Sequence, residues 1–339
     1  MLVLTRSEVE ELLDVDALFD ALARAHAELS SGAASMPPRV AARAGEAGLL
    51  GAMPAYLPSP RTPKASGLRP GVVGSAGDAS SPALGCKLVS VFPGNVDRTT
   101  HQAAIMLFDP ANGTPVALMD GTYITETRTA VTAALAAKLL AREDARVLAI
   151  LGTGVQARSH ARAFAGIRDW DEVRVAGRDA AKTRELADEI GATAAGSFEE
   201  AVRGADVVAA TTHAQEPVVL LDWLAPGTHV SSIGFAERGG EVDPAIVRAA
   251  TIVVESRASA LAAPPAGAAE LQGLDPSAVH AELGELVAGS RPGRTSPTET
   301  TLYKSVGVAV QDLAAAALVL AAAEERGAGL EIELEEIHQ

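Results

Sequence analysis

The chain is poor in cysteine, aromatic residues and positive charge. Its one cysteine, Cys86, excludes an internal disulfide framework and fits a reducing, cytoplasmic compartment. Aromatic residues make up only 3% of the chain, so we expect an aliphatic core. The formal net charge of -15 argues against nucleic acid or an anionic membrane surface as a partner.

Long hydrophobic runs are absent as well. The longest, from Ala314 to Ala323, is too short to span a bilayer and ends in Glu324-Glu325-Arg326. No basic segment followed by an apolar one begins the chain, so we predict neither a secretory signal nor a membrane partner. With 339 residues, 48% of them hydrophobic, the chain is long enough for two folded domains. We predict no metal site.

A glycine-rich turn in the middle of the chain carries the clearest functional signal. The strand-like run Val147–Leu151 leads into Gly152-Thr153-Gly154-Val155-Gln156-Ala157, and a helix is predicted over 158–167. Strand, Gly-x-Gly-x-x-Ala turn and helix, in that order, are typical of a dinucleotide-binding site with the pyrophosphate at the helix N-terminus. The turn therefore predicts bound NAD(P)(H).

The end of the next predicted strand indicates which dinucleotide is bound. This strand, 172–176, is followed by Gly177-Arg178-Asp179 and a helix over 180–190. An NAD site usually has a carboxylate here, whereas an arginine suits a 2′-phosphate. Arg178 therefore favours NADP(H). NAD(H) is the alternative if Asp179 turns inward to the ribose instead of capping the helix.

The elements on the two sides of the turn predict two kinds of domain. Before it, a helical region over 5–31, strands over 48–56, 84–92, 103–108 and 115–119, and a helix over 124–140 indicate a mainly antiparallel sheet with helices. After it, strands alternate with helices, which indicates a doubly wound parallel sheet. A helical stretch is predicted over 276–287 and a last long helix over 300–325. The Pro- and Gly-rich residues 57–83 predict a long loop or flap.

Further motifs accompany the glycine turn along the chain. They are Met36-Pro37-Pro38-Arg39, Met53-Pro54-Ala55-Tyr56, Cys86-Lys87-Leu88-Val89, Phe92-Pro93-Gly94-Asn95, His101-Gln102-Ala103, Ala117-Leu118-Met119-Asp120-Gly121, Thr127-Arg128-Thr129-Ala130 and Tyr303-Lys304-Ser305-Val306-Gly307. Together with Leu151–Ala157, and in this order, they make the chain resemble the ornithine cyclodeaminase/mu-crystallin family over nearly its full length.

The resemblance implies an α/β fold of two domains. A doubly wound Rossmann domain would span 126–307. An antiparallel α+β domain for substrate binding and dimerisation would be built from both chain ends, 1–125 and 308–339, and a homodimer is implied. The family includes cyclodeaminases that hold NAD tightly, and NAD(P)H-dependent dehydrogenases or ketimine reductases that act on amino and imino acids.

The resemblance also implies roles for individual residues. Arg39, Lys87 and Arg128 match substrate-binding positions, and their cationic side chains suit a substrate carboxylate. Lys87 is also expected to be catalytic, through proton transfer at the substrate nitrogen. Thr100 matches a position that hydrogen-bonds substrate. Lys304 is interpreted either as a functional part of the motif Tyr303–Gly307 or as a surface charge. The implied cofactor-binding residues are Thr129, Gly152, Thr153, Gly154, Val155, Gln156, Arg178, Asp179, Thr212, Ser305 and Gly307.

One loop departs from the family pattern. Cyclodeaminases have an aspartate two residues after the glycine that corresponds to Gly234, and this chain has Ala236 there. Glu237 is either a catalytic replacement or an exposed loop charge. We therefore predict an NAD(P)(H)-dependent oxidoreductase acting on an α-amino or α-imino acid. The alternatives are an ornithine or lysine cyclodeaminase with recycled NAD, and a non-catalytic protein of the crystallin type that binds NADPH and a small anion.

Overall fold

The computed structural model describes residues 1–58, 82–235 and 238–334. The chain divides into two compact units. Unit 1 consists of Met1–Arg128 and Val308–Gln339, and unit 2 consists of Thr129–Gly307. Both chain ends contribute to unit 1, and the predicted α/β fold class is confirmed.

Unit 1 is built on a seven-stranded sheet in the order β15-β1-β6-β5-β4-β3-β2. All neighbouring strands are antiparallel except β1 and β6, which are parallel. The strands are β1 (Leu2–Leu4), β2 (Val40–Arg43), β3 (Leu49–Leu57), β4 (Ala83–Val91), β5 (His101–Phe108), β6 (Pro115–Asp120) and β15 (Leu330–Glu331). The antiparallel sheet predicted for the front of the chain is thus confirmed.

Among the described residues, four helices belong wholly or partly to unit 1: α1 (Arg6–Leu12), α2 (Val15–Ser30), the start of α3 (Gly121–Leu140) and α10 (Ala309–Arg326). The single helical region predicted over 5–31 is two helices. Thr5 forms a capping box at the start of α1, and the Asp14 side chain accepts a hydrogen bond from Ala17 N at the start of α2. An N-cap has a non-helical backbone, so Asp14 separates the two helices.

One face of the unit 1 sheet is covered by α10, which packs on β3, β4 and β5 and against α2. Close approach of α10 requires a small residue at Gly85, where an added Cβ would lie 2.8 Å from Leu313 Cδ2. Register places Met53, Lys87 and Ile105 side by side on this covered face. Since side chains alternate along a strand, Lys87 points toward the helix layer, where it is buried.

Unit 2 is built on an eight-stranded, fully parallel sheet in the order β13-β12-β14-β11-β10-β7-β8-β9. Its strands are β7 (Val147–Leu151), β8 (Glu172–Ala176), β9 (Thr193–Ala194), β10 (Val207–Ala210), β11 (His229–Ser232), β12 (Thr251–Val254), β13 (Val279–Glu282) and β14 (Thr301–Lys304). Its further α-helices are α4 (Val155–Ala165), α5 (Ala180–Ile190), α6 (Phe198–Val202), α7 (Pro244–Ala249), α8 (Arg257–Ala260) and α9 (Leu283–Val287). The order of strands reverses between β7 and β10, as in a doubly wound sheet.

One predicted helix is mostly wrong, and another begins later than predicted. Most of 276–287 is a short 3-10 turn followed by β13, with only the last residues in α9. The predicted last helix begins at Ala309 rather than near 300, because Thr301–Lys304 forms β14 between β11 and β12. All four residues of β14 are buried, so the strand shows no alternation of polar and apolar residues.

Among the helices of the described residues, none combines the length and apolarity that crossing a membrane requires.

Candidate active site and dinucleotide site

The glycine turn of unit 2 leaves a helix N-terminus open. Gly154 is the N-cap of α4 and supplies no side-chain cap, so the first N–H groups of the helix are not capped by its own side chain. An added Cβ at Gly154 would meet nothing within 4 Å. Ala157, in contrast, is fully buried against the sheet. Uncapped N–H groups and the helix dipole suit a pyrophosphate, so the residues present fit a dinucleotide.

The first glycine of the turn is needed for two reasons. Gly152 has φ of 120°, a backbone conformation that L side chains rarely adopt, and an added Cβ would lie 2.7 Å from Thr211 Oγ1. Thr211 follows β10, and both its N–H and its hydroxyl donate to Leu151 O at 2.8 Å. The loops after β7 and β10 therefore meet where the strand order reverses, which is the usual ligand crevice of such a sheet.

The end of β8 places Arg178 and Asp179 at the surface. The Asp179 carboxylate accepts hydrogen bonds from Ala181 N (2.9 Å) and Lys182 N (3.2 Å), so it caps α5 as the sequence suggested. These two bonds lower the pKa of the Asp179 carboxyl. The Asp179 side chain is therefore used to cap the helix, whereas the neighbouring charged residue, Arg178, is not part of the cap.

Thr212, at the end of β10, is held by a buried carboxylate that the sequence did not suggest. Glu241 Oε2 accepts hydrogen bonds from the backbone and hydroxyl of Thr212, each at 2.8 Å. Glu241 Oε1 accepts from Ser232 Oγ at 2.8 Å and from Gly234 N at 2.6 Å. One side chain thus fixes the loops that follow β10 and β11.

A second buried carboxylate fixes the loop after β14. Glu255 follows β12 and accepts from Ser305 Oγ (2.5 Å), Val306 N (3.0 Å) and Gly307 N (3.0 Å). The Ser305 hydroxyl and the Gly307 N–H, both expected at the cofactor, therefore donate within the protein. These contacts give Ser305 and Gly307 fixed positions at the carboxyl edge of the sheet.

Lys304 is not a surface charge. Its side chain is buried, and Nζ donates to Glu270 Oε1 (2.8 Å), Gly234 O (2.8 Å) and Ser232 Oγ (3.0 Å). The surface-charge interpretation of Lys304 is therefore wrong. Because Lys304 and Glu241 both bind Gly234, they anchor the start of the loop that departs from the family pattern. Ala236 and Glu237 of that loop lie outside the described residues, as do 59–81 of the predicted flap.

In unit 1 the structure brings Lys87 and Arg128 together around one carboxylate. Asp312, in the first turn of α10, lies 2.8 Å from Lys87 Nζ through Oδ2 and 3.0 Å from Arg128 Nε through Oδ1. All three side chains are at least 95% buried. Lys87 Nζ also donates to Thr125 Oγ1 at 3.5 Å. We call these residues the Lys87–Asp312–Arg128 cluster.

The pKa of Lys87 is lowered to about 8. Burial is the largest cause, because it disfavours the charged ammonium. The Asp312 carboxylate opposes this effect, and the guanidiniums of Arg128 and Arg39 reinforce it. Arg39 lies just before β2 and is half-buried. It is close enough to the cluster for its charge to lower the pKa of Lys87.

Three other predicted site residues lie outside the Lys87–Asp312–Arg128 cluster. Thr100 is at the β4–β5 connection, and its hydroxyl is 3.1 Å from Nδ1 of His101, with no contact to the cluster among the described residues. Thr129, on α3, is half-buried. Val155 begins α4 and is 44% exposed.

The functional candidates that the sequence interpretation missed are buried carboxylates and their neighbours. Asp312 and Gln311 are the only polar pair in the apolar run from Ala309 to Ala323. A charge in such a run is expensive to bury without a partner, which was a usable signal. Glu241 gives no comparable signal because its surroundings in the sequence are polar and irregular, whereas Glu255 directly follows the apolar strand β12.

The chain is similar to a known family and to proteins of known name. Residues 67–327 match the model of the ornithine cyclodeaminase/mu-crystallin family. The ketimine reductase mu-crystallin of Mus musculus is 39% identical over 281 residues, 80% of each chain, and the alanine dehydrogenase of Archaeoglobus fulgidus is 34% identical over 338 residues, 98% of each chain.

A solved structure is similar to this chain over nearly its full length. The Thermococcus litoralis Delta(1)-pyrroline-2-carboxylate reductase, in complex with NADH and L-proline, has a TM-score of 0.85 and 32% identity, and the match covers 98% of this chain and 100% of that one. Motifs, fold and relatives lead to the same conclusion: the chain belongs to the ornithine cyclodeaminase/mu-crystallin family.

Proposed function

We propose that the protein is an NAD(P)(H)-dependent oxidoreductase that interconverts an α-amino acid and its α-imino acid. The observation that carries the proposal is the Lys87–Asp312–Arg128 cluster, with Arg39 nearby. Three cationic side chains act with one carboxylate, which leaves net positive charge in a buried environment. Such an environment binds a small anion, and a carboxylate is the group that amino and imino acids share.

The proposed roles differ from residue to residue. Arg39, Lys87 and Arg128 of unit 1 would bind and orient the substrate carboxylate. Lys87 would also give a proton to the imine nitrogen on reduction and take it back on oxidation, which its lowered pKa makes feasible near neutral pH. A bound dinucleotide supplies or accepts a hydride at its nicotinamide C4. Gly152–Gln156, Thr212, Ser305 and Gly307 of unit 2 would hold it.

The relatives support this reaction class. One is named a ketimine reductase, one an alanine dehydrogenase, and one a Delta(1)-pyrroline-2-carboxylate reductase solved with NADH and L-proline. Each of these names describes chemistry at a carbon–nitrogen bond beside a carboxylate. We therefore place the substrate of this chain among small linear or cyclic α-imino acids.

For the nucleotide we propose NADP(H), with NAD(H) as the second possibility. The exposed Arg178 at the end of β8 is suited to a 2′-phosphate, and the Asp179 carboxylate is occupied by the N-cap of α5. A carboxylate that caps a helix is less available for the ribose hydroxyls.

We also infer that unit 1 forms a homodimer through the sheet face opposite α10. Register places mainly apolar side chains in rows on this face, and Leu50 and Leu88 are 49% and 45% exposed. An apolar surface of this kind is typical of a protein–protein interface. The rows are formed by Tyr56, Leu84 and Phe108; by Pro54, Cys86, Met106 and Leu118; and by Ala52, Leu88 and Ala104.

A substrate panel tests the proposed reaction. NADPH and NADH oxidation would be followed with five- and six-membered cyclic imino acids, and with pyruvate plus ammonia or methylamine. We expect turnover with at least one of them. Lys87→Met should lower kcat/KM by about 100-fold or more, as loss of a proton-transfer group does. Lys138→Met, an exposed lysine on α3, is the matched control and should stay near wild type.

Two outcomes would contradict the proposal. Release of proline and ammonia from ornithine without accumulation of NAD(P)H would identify a cyclodeaminase. Failure of every imine and keto acid to oxidise either nucleotide, together with tight nucleotide binding, would identify a non-catalytic binding protein.

A further inference from the structure

The Lys87–Asp312–Arg128 cluster depends on a single carboxylate. Lys87 comes from β4, Arg128 from α3 and Asp312 from α10, so three separate elements meet at one buried point. Each Asp312 oxygen forms an ion pair with one cation: Oδ2 with Lys87 and Oδ1 with Arg128. The distance between the ammonium and the guanidinium is therefore set by the width of one carboxylate.

We propose that Asp312 is a positioning residue: it fixes Lys87 and Arg128 relative to each other and keeps Lys87 protonated at neutral pH. Two cations buried side by side repel each other, and the repulsion is strong where water is excluded. A shared counter-charge removes most of this cost and holds both side chains in place. The substrate part of this role rests on the proposed function, whereas the effect on Lys87 does not.

A neutral side chain supports Arg128 from the same turn of α10. Gln311 Oε1 accepts from Arg128 Nη1 at 2.6 Å and from Val308 N at 3.2 Å. Its Nε2 lies 3.1 Å from His26 Nε2, which must then accept the hydrogen bond. Gln311 thus orients the same guanidinium as Asp312 but contributes no charge, which makes it the matched control.

The charges around Lys87 give the direction of the effect. The groups that act on its ammonium are Asp312 from α10, Arg128 from α3 and Arg39 from the segment before β2. Asp312 raises the pKa of Lys87, and burial and both arginines lower it to about 8. Removing the Asp312 charge leaves only lowering effects. Lys87 should then lose its proton at lower pH, by about 1–3 units for a charge at this distance.

The titration of Lys87 can be measured directly, because the chain has only five lysines. The full chain would be labelled with 13C at lysine Cε and titrated by NMR, with the Lys87 signal identified by its loss in Lys87→Arg. We expect a midpoint near pH 8 in wild type, at least about one unit lower in Asp312→Asn, and close to wild type in Gln311→Met. The five are Lys64, Lys87, Lys138, Lys182 and Lys304.

Asp312→Glu covers the case in which Asp312→Asn does not fold. It keeps the charge but moves it, so the Lys87 midpoint should stay near wild type while kcat/KM falls. The proposal is overturned if Lys87 in Asp312→Asn titrates within about 0.3 unit of wild type, or if Asp312→Glu shifts the midpoint by a unit or more. The NMR titration uses no substrate, so inactivity toward every imino acid would refute the proposed function and leave this result standing.

If both proposals hold, the pH profiles of activity follow the titrations. In the reductive direction kcat/KM should fall as pH rises through the Lys87 midpoint, because the deprotonated amine neither donates a proton nor attracts the carboxylate. In Asp312→Asn the fall should begin at least about one unit lower. In Gln311→Met, kcat/KM should be lower than in wild type, but the pH at which it begins to fall should be the same.

Discussion

Replacing Glu241 by glutamine should destabilise unit 2 strongly, although the two side chains are nearly the same size. The carboxylate accepts four hydrogen bonds, two at each oxygen, from Thr212, Ser232 and Gly234. In Glu241→Gln one oxygen becomes an NH2 group, which faces two donors. Each lost bond to a charged acceptor costs about 1.5 kcal/mol or more, so the loss is about 3 kcal/mol.

Thermal unfolding measures this loss. For a domain of roughly 150–250 residues, about 3 kcal/mol corresponds to a fall in Tm of roughly 6–12 °C. The nucleotide affinity should fall too, since Glu241 holds the loops after β10 and β11. Glu216→Gln, an exposed glutamate in the loop after β10, is the control and should melt within about 1 °C of wild type. A Glu241→Gln protein that melted with the control would refute the assigned role of this carboxylate.

Two further changes test the nucleotide and the dimer. Arg178→Ala should raise the KM for NADPH about 10-fold and leave the KM for NADH nearly unchanged, as expected for loss of one bidentate contact to a 2′-phosphate. Both KM values would be measured by nucleotide absorbance, and equal changes in the two would contradict the NADP(H) assignment. Leu88→Glu places a charge on the apolar sheet face and should convert a dimer to a monomer in size-exclusion chromatography with light scattering, whereas Val96→Glu, an exposed residue in the β4–β5 connection, should not.

The dinucleotide region could be predicted because its signals are local. Gly152, Gly154 and Ala157 lie within six residues. Gly152 and Ala157 have steric reasons in the folded chain, and Gly154 leaves the N-terminus of α4 without a side-chain cap. The cap formed by Asp179 is also local, since its partners are two and three residues away. Short-range geometry of this kind is fixed by sequence order and needs no knowledge of the tertiary structure.

The strands β13 and β14 could not be predicted in the same way. β14 is buried on both faces in the middle of a parallel sheet, so its residues carry no period of two. It is followed after a short loop by the long helix α10, and a short apolar run beside a helix is easily assigned to that helix. The sequence leaves a surface charge open for Lys304 because its partners Glu270 and Gly234 are 34 and 70 residues away.

Only the cationic residues of the candidate site could be predicted from the sequence. The cations Arg39, Lys87 and Arg128 were found through motifs, but the residue that organises two of them was not. Asp312 is 184 residues from Arg128 in the chain, and no spacing rule relates them. Only the packing of α10 against β4 brings the carboxylate to the cations.

The presence of one carboxylate, rather than two, fits the substrate-binding role that we propose for the cluster. The charges that act most strongly on Lys87 are one carboxylate, Asp312, and the guanidiniums of Arg128 and Arg39. With Lys87 protonated, three positive charges face one negative charge, so a substrate monoanion still meets net attraction. A second buried carboxylate would fix the cations equally well but would remove most of that attraction. No carboxylate would leave the cations repelling one another and would favour the neutral form of Lys87. One shared carboxylate is therefore the arrangement that both holds the cations and suits the proposed binding of a substrate anion.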